Sequence, residues 1–80
     1  MSIALHILSP EGTLVRAQVS LVTLPGVVSP FTVLKDHAAM VTALVEGDVR
    51  YVEDGTEKHL HIREGFVEIR DNQVKVCVEV

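Results

Sequence analysis

Residues 73–80 read QVKVCVEV, and this segment decides the class of fold. The even positions, Val74, Val76, Val78 and Val80, are all valine, whereas the odd positions are Gln73, Lys75, Cys77 and Glu79. Side chains of a β-strand point alternately to the two faces of a sheet, so this pattern predicts a strand with one buried face. We therefore expect the chain to build a core from alternating strands.

The same alternation recurs upstream of this segment. Near the start Leu5 and Ile7 flank His6, and later Leu60 and Ile62 alternate with polar residues. The longest run begins after Thr13 and places four apolar residues on one face: Val15, Ala17, Val19 and Leu21. No segment carries a sustained apolar stripe of period 3.6, so little or no helix is expected.

Turn signals separate these strands at fairly even spacing. Asp54-Gly55 and Asp71-Asn72 predict hairpins, and Pro25-Gly26 is typical of a type II turn. The five glycines are interpreted as turn or bulge residues that need a positive φ. Residues 38–45 are almost continuously apolar and fit either a buried strand or one turn of helix leading into a strand.

These patterns predict an all-β fold: a flattened sandwich or barrel of two antiparallel sheets with about ten short strands. The length of 80 residues predicts a single domain over residues 1–80. Such a small domain has a thin core and modest stability.

Composition excludes several function classes. The net charge of −4 and the presence of only three aromatic residues disfavour a nucleic-acid partner, which requires a basic surface and stacking platforms. The lone Cys77 excludes an internal disulfide and fits a reducing compartment. No apolar run reaches the length of a membrane span, so we expect no direct membrane insertion.

No catalytic constellation, cofactor site or small-molecule substrate site is predicted. The glycines are dispersed and form no phosphate-binding loop, and no serine lies in a nucleophile elbow. His59 and His61 lie two apart on a strand and could start a zinc site with His6 or His37, or could simply form a solvated face with Arg63. An alternative function is therefore a small sandwich that binds a metal or small ligand through His59 and His61, with Cys77 as a further polar group.

The segment after the Pro25-Gly26 turn is unusually apolar. Val27, Val28, Pro30 and Phe31 follow the turn with little polar dilution. Such a segment is either a contact surface for a partner or a further strand folded over a thin core, and both can hold at once.

Four motifs together resemble the N-terminal domain of the epsilon subunit of the rotary, F-type ATP synthase. They are Leu8-Ser9-Pro10-Glu11-Gly12, Leu24-Pro25-Gly26, the spaced stretch Phe31-x-Val33-Leu34-x-x-His37-Ala38-x-x-x-Thr42-Ala43-Leu44-x-x-Gly47-x-Val49-Arg50, and Gly65-Phe66-Val67-Glu68-Ile69. Each motif alone is weak, but their order and spacing span nearly the whole chain. Family members commonly have glycine where this chain has Ser29 and Thr32, and proline where it has Ala39.

The resemblance implies a non-catalytic rotor subunit of the central stalk, at the cytoplasmic face of the bacterial plasma membrane. Its partners would be the gamma subunit, through an unassigned sheet face, and the membrane c-ring. The residues implied on the ring side are Val27, Val28, Ser29, Pro30, Phe31, Asp36, His37, Met40 and Thr42.

The usual family member continues into a C-terminal pair of helices, which can inhibit ATP hydrolysis and in some members bind ATP. If the sequence is complete at Val80, the resemblance implies a short family member with no inhibitory arm and no nucleotide site. A naturally short member and a trimmed longer one both fit the sequence.

Overall fold

The computed structural model describes residues 2–80, and its regular elements are nine β-strands. The strands are β1 (Ile3–Ser9), β2 (Gly12–Val19), β3 (Leu21–Leu24), β4 (Phe31–Val33), β5 (Met40–Leu44), β6 (Gly47–Glu53), β7 (Thr56–Ile62), β8 (Glu64–Arg70) and β9 (Gln73–Glu79). The all-β prediction is confirmed. The single domain over residues 1–80 stays a prediction, and Met1 lies outside the described residues.

The strands form two sheets that face each other. The five-stranded sheet has the order β2-β1-β9-β8-β5, and the four-stranded sheet has the order β4-β3-β6-β7. The two sheets are antiparallel as predicted, except that β1 and β9 pair in parallel. Hairpins join only antiparallel neighbours, whereas β1 and β9 are the first and last strands and are connected by everything between them.

Alternating apolar side chains fill the space between the sheets. The buried core consists of Ile3, Leu5, Ile7, Val19, Val22, Leu24, Val33, Leu44, Val49, Tyr51, Ile62, Val67, Ile69, Val74, Val76 and Val78. The three even-numbered valines within β9 are buried as predicted. Val80, however, lies beyond the end of β9 and is 53% exposed, so its predicted burial is wrong.

The long alternation after Thr13 changes phase at Ser20. β2 ends at Val19 in the five-stranded sheet, and the chain then crosses to the four-stranded sheet as β3. The Ser20 amide donates to the Val52 carbonyl oxygen at 2.9 Å at this crossing. After the corner Val22 is buried and Leu21 is not, so the prediction that Leu21 shares the face of Val19 is wrong.

The ambiguous apolar run at residues 38–45 contains an edge strand. Its strand partner is β8, its other side carries a single isolated bridge from Leu44 to Gly26, and Leu44 is its one buried residue. Val41 on the opposite face is 69% exposed. Among residues 2–80 no apolar helix of membrane-spanning length is present.

Both predicted hairpins are confirmed, but the prediction of a type II turn at Pro25-Gly26 is wrong. Asp54-Gly55 joins β6 to β7 and Asp71-Asn72 joins β8 to β9, with positive φ at all four residues. Gly26 lacks a positive φ, as does Gly65. Position 26 needs glycine for space, since a Cβ there would lie 2.6 Å from the Ser29 carbonyl oxygen.

Candidate functional site

Residues 25–30, which we call the apolar loop, connect β3 to β4 and are held at their base by β5. Val27 donates its amide to the Ala43 carbonyl oxygen at 3.2 Å, and Val45 donates to the Pro25 carbonyl oxygen at 2.9 Å. Beyond this anchor Val28 is 93% exposed. The loop therefore has a fixed base and presents an apolar tip to the exterior.

The structure brings together seven of the nine residues that the sequence placed on the ring side. Together with Gly26 they line one shallow cavity of about 260 Å³: Val27, Val28, Ser29, Phe31, His37, Met40 and Thr42. Pro30 instead lines a neighbouring cavity of about 420 Å³. Asp36 lines neither of these cavities.

Phe31 belongs to the fold as well as to this surface. It is half-buried, packs against the core as the first residue of β4, and its ring centroid lies 6.5 Å from that of His37. His37 is oriented by donating Nδ1–H to the Ala38 carbonyl oxygen at 2.7 Å. Phe31 thus begins a strand over the core, as one interpretation of the segment predicted. Val27 and Val28 remain exposed, and a contact surface there stays a prediction.

Asp36 is fixed by a partner far away in sequence. Its amide donates to Asn72 Oδ1 at 2.6 Å, and Asn72 Nδ2 donates back to Asp36 Oδ1 at 3.2 Å. Both residues have positive φ, which Asp and Asn tolerate better than most. The hydrogen bond from Asn72, and then the charge of Lys35, lower the pKa of Asp36. The pair therefore ties the corner before His37 to the β8–β9 hairpin.

Replacing Asn72 with glycine is expected to free this corner. Glycine keeps the positive φ of the hairpin, so the variant removes only the side-chain bonds. The pKa of Asp36 should rise toward its ordinary value, and its amide should exchange faster with solvent. A carboxyl NMR titration with amide exchange measures both, and an unchanged Asp36 would contradict this assignment.

The outer face of the five-stranded sheet carries an apolar row that the sequence reading missed. Cross-strand pairing aligns Leu8 with Cys77, Cys77 with Phe66, and Phe66 with Ala43. Phe66 is 51% exposed and Cys77 is half-buried. Beside the row lies a cavity of about 540 Å³, lined by Leu8, Phe66 and Cys77 together with the start of the β1–β2 turn.

Charged groups flank this apolar row on both sides. On one side Arg16, His6 and Lys75 are cross-strand neighbours, with the Arg16 guanidinium 3.2 Å from His6 Nε2. Desolvation, then the charges of Arg16 and Lys75, lower the pKa of His6. On the other side Glu64 and Glu79 face each other across β8 and β9. An apolar centre with a charged rim is the usual composition of a protein–protein contact.

The corresponding row on the four-stranded sheet is polar throughout. Its members, in order across the sheet, are Thr32, Thr23, Arg50 and His59. The Thr23 and Thr32 hydroxyls lie 3.0 Å apart and hydrogen-bond to each other. This row is therefore suited to solvent, in contrast to the apolar row of the other sheet.

The possible metal ligands are not brought together. His59 and His61 lie on the four-stranded sheet, whereas His6 and Cys77 lie on the five-stranded sheet. Both ring nitrogens of His61 contact carboxylates, those of Asp48 and Glu46. Within residues 2–80 no group of three or more His, Cys, Asp or Glu side chains is arranged to hold a metal ion. The geometry does not support the alternative function based on His59 and His61.

The packed two-sheet body is a β-sandwich domain, and its surface carries an exposed apolar row and an adjoining apolar loop. The family model of the ATP synthase delta/epsilon chain β-sandwich domain matches residues 2–80. The chain therefore belongs to that family, as its sequence motifs indicated.

Relatives and solved structures agree with this membership. The chain is 38% identical over 79 residues to an ATP synthase epsilon chain of an Anaeromyxobacter species (strain K), covering 99% of this chain and 60% of the relative. It is also 38% identical over 77 residues to that of Symbiobacterium thermophilum, covering 95% of this chain and 55% of the relative. The chain thus spans somewhat over half the length of these relatives.

Two solved assemblies contain the same fold at low sequence identity. A chain of the Euglena gracilis mitochondrial ATP synthase, in an OSCP/F1/c-ring structure, has a TM-score of 0.88 at 21% identity, covering 96% of this chain and 50% of that one. A chain of the Tetrahymena thermophila mitochondrial ATP synthase central stalk/c-ring has a TM-score of 0.83 at 13% identity, covering 100% and 65%. At these identities the likeness concerns the fold alone.

Proposed function

We propose that this chain is a non-catalytic rotor subunit of a proton-translocating F-type ATP synthase, where it couples the gamma subunit to the membrane c-ring. Family membership supports this role, as do relatives named ATP synthase epsilon chain. The complex would hold the chain peripherally at the cytoplasmic face of the bacterial plasma membrane. In this role the chain binds partners and performs no chemistry.

The observation that carries the proposal is the contrast between one row on each of the two outer sheet faces. A domain without partners has no need for an apolar row across four strands, and the opposite sheet shows that this fold can carry a polar row instead. Gamma would cover the row from Leu8 to Ala43, with Phe66 at its centre. The flanking charges of Lys75 and Glu64 would form the rim of the contact.

The c-ring would contact the apolar loop and its cavity. Val27 lies directly beside Ala43, at the end of the apolar row, so the two partner surfaces adjoin on one body. A close-packed core deforms little. Torque applied at the loop would therefore reach the outer sheet face while the two surfaces keep their relative positions.

Coexpression with gamma and co-purification test the proposal, and Val28→Asp separates its two surfaces. Val28 is almost fully exposed, so the aspartate should leave the fold and gamma binding intact while it weakens docking to the c-ring. Phe31→Asp is less suitable, because Phe31 packs against the core.

Failure of the unchanged chain to co-purify with gamma would refute the rotor role. Loss of gamma binding in the Val28→Asp variant would refute the division into two surfaces, since the substitution lies outside the sheet face. Thr32→Asp, on the polar face, provides the matched control and should affect neither partner.

A further inference from the structure

His61 is held between two carboxylates on the outer face of the four-stranded sheet. Its Nδ1 lies 2.8 Å from Asp48 Oδ1, and its Nε2 lies 3.2 Å from Glu46 Oε2. A neutral imidazole has one N–H and can donate to only one of these oxygens, whereas an imidazolium donates to both. The geometry therefore corresponds to protonated His61.

The two carboxylates belong to different parts of the fold. Asp48 lies within β6, directly opposite His61 in the sheet, and its other oxygen is 3.4 Å from an Arg50 guanidinium nitrogen. Glu46 lies in the turn between β5 and β6. One His61 contact is thus internal to the sheet, while the other reaches from the sheet to a turn.

That turn supports the base of the apolar loop. Val45 donates its amide to the Pro25 carbonyl oxygen at 2.9 Å. Gly47 lies so close to Pro25 that a Cβ on it would stand 2.9 Å from the proline Cβ. Glu46, between these two contacts, lines the same cavity as Pro25 and Pro30. Movement of the turn is therefore transmitted to the loop.

We propose that His61 is a pH-sensitive latch: its protonated ring fastens the β5–β6 turn, and with it the base of the apolar loop, to the four-stranded sheet. Loss of the proton leaves a single N–H, which the closer and less exposed Asp48 retains, and releases Glu46. The apolar loop then has one anchor fewer. This inference rests on the fold and holds whichever partner the loop binds.

The charges around His61 favour the protonated form. Asp48 faces it from β6 and Glu46 from the turn, and the hydrogen bond to Asp48, followed by that to Glu46, raises the pKa of His61 above its ordinary value of 6.5. Desolvation of the ring acts in the opposite direction, and the nearby Arg50 on β6 is engaged by Asp48. His59 and Arg63 are the charged or titratable neighbours along the chain, and β7 is an edge strand with no further strand beside it in the described sheet.

The sign of the pH effect follows from the raised pKa. A group whose pKa is higher in the folded state stabilises it fully below the ordinary pKa and loses that contribution as pH rises through the folded value. The latch is therefore fully closed below about pH 6.5 and opens as the pH rises through the raised pKa of His61.

NMR titration of the 80-residue chain tests the latch through two separate readouts. The ring signals of His61 should titrate above 6.5, and the amides of Gly26, Val27 and Val45 should shift with the same midpoint. In Glu46→Gln the pKa of His61 should fall, and the loop amides should lose most of their pH response. In Asp48→Asn the pKa should fall further, because that bond is the larger cause.

Glu57→Gln is the matched control, because this exposed carboxylate lies on β7 opposite Val52, away from the turn. It should leave the loop response unchanged. The latch is overturned if the loop amides ignore the His61 midpoint, or if Glu46→Gln preserves their response. A His61 that titrates at or below 6.5 in the unchanged chain would overturn it as well.

Discussion

Replacing Phe66 with glutamate is expected to weaken the proposed binding of gamma by about 30-fold or more, which corresponds to about 2 kcal/mol. Phe66 is the only aromatic residue in the apolar row, and its two cross-strand neighbours, Cys77 and Ala43, are small. Aromatic anchors at the centre of a contact carry most of its binding energy. A carboxylate at this position would have to be desolvated without a partner, which adds to the loss.

The fold should survive this substitution, because half of the Phe66 side chain is already exposed. His59→Glu is the matched control, since it places the same carboxylate at an exposed strand position in the polar row of the opposite sheet. Titration calorimetry measures the apparent dissociation constant for gamma and so tests this prediction. Circular dichroism checks that each variant is folded. Equal binding by the two variants would mean that gamma covers some other surface.

The sequence predicted the strands well because the information for them is local. Alternation in residues 73–80 needs only neighbouring positions, and so does the Asp54-Gly55 hairpin. Seven of the nine ring-side residues line one cavity, and they could be named together from the sequence because the resemblance supplied them as a set. Their contact with the ring itself stays a prediction.

The apolar row escaped the sequence reading because no single strand reveals it. Cys77 stands among Gln73, Lys75 and Glu79 and reads as one small residue on a polar face. Leu8 and Phe66 are likewise isolated in their own strands. Only the register of β1, β9, β8 and β5 aligns them. The sequence signal for the apolar row was Phe66 itself, a large apolar side chain at a position of β8 where the alternation places polar residues.

The wrong predictions from the sequence have the same origin in contacts between distant parts of the chain. The corner at Ser20 shifts the alternation because the chain changes sheets, and the parallel pairing of β1 with β9 joins residues about seventy positions apart. Gly26 and Gly65 were interpreted through local backbone rules. Their actual constraint is the close approach of atoms from other parts of the chain.

Replacing Gly65 with alanine is therefore expected to destabilise the domain by about 3 kcal/mol. A Cβ at this position would collide with the Cys77 carbonyl oxygen and would lie 3.1 Å from Val78 Cα, so backbone atoms of β9 would have to move. A domain of this length has a total stability of about 4–12 kcal/mol, so the loss is a large part of it. Equilibrium unfolding in urea measures the change.

Gly55→Ala distinguishes crowding from backbone conformation as the reason for a glycine. Gly55 has a φ of 77° but open space around its missing side chain, so alanine there costs only the left-handed backbone term, about 1 kcal/mol. Local rules based on φ predict the opposite order, with Gly55 the more sensitive site. If Gly65→Ala costs less than Gly55→Ala, β8 and β9 are not packed as closely as described. The alignment of Phe66 with Cys77, on which the proposed gamma surface depends, would then fail as well.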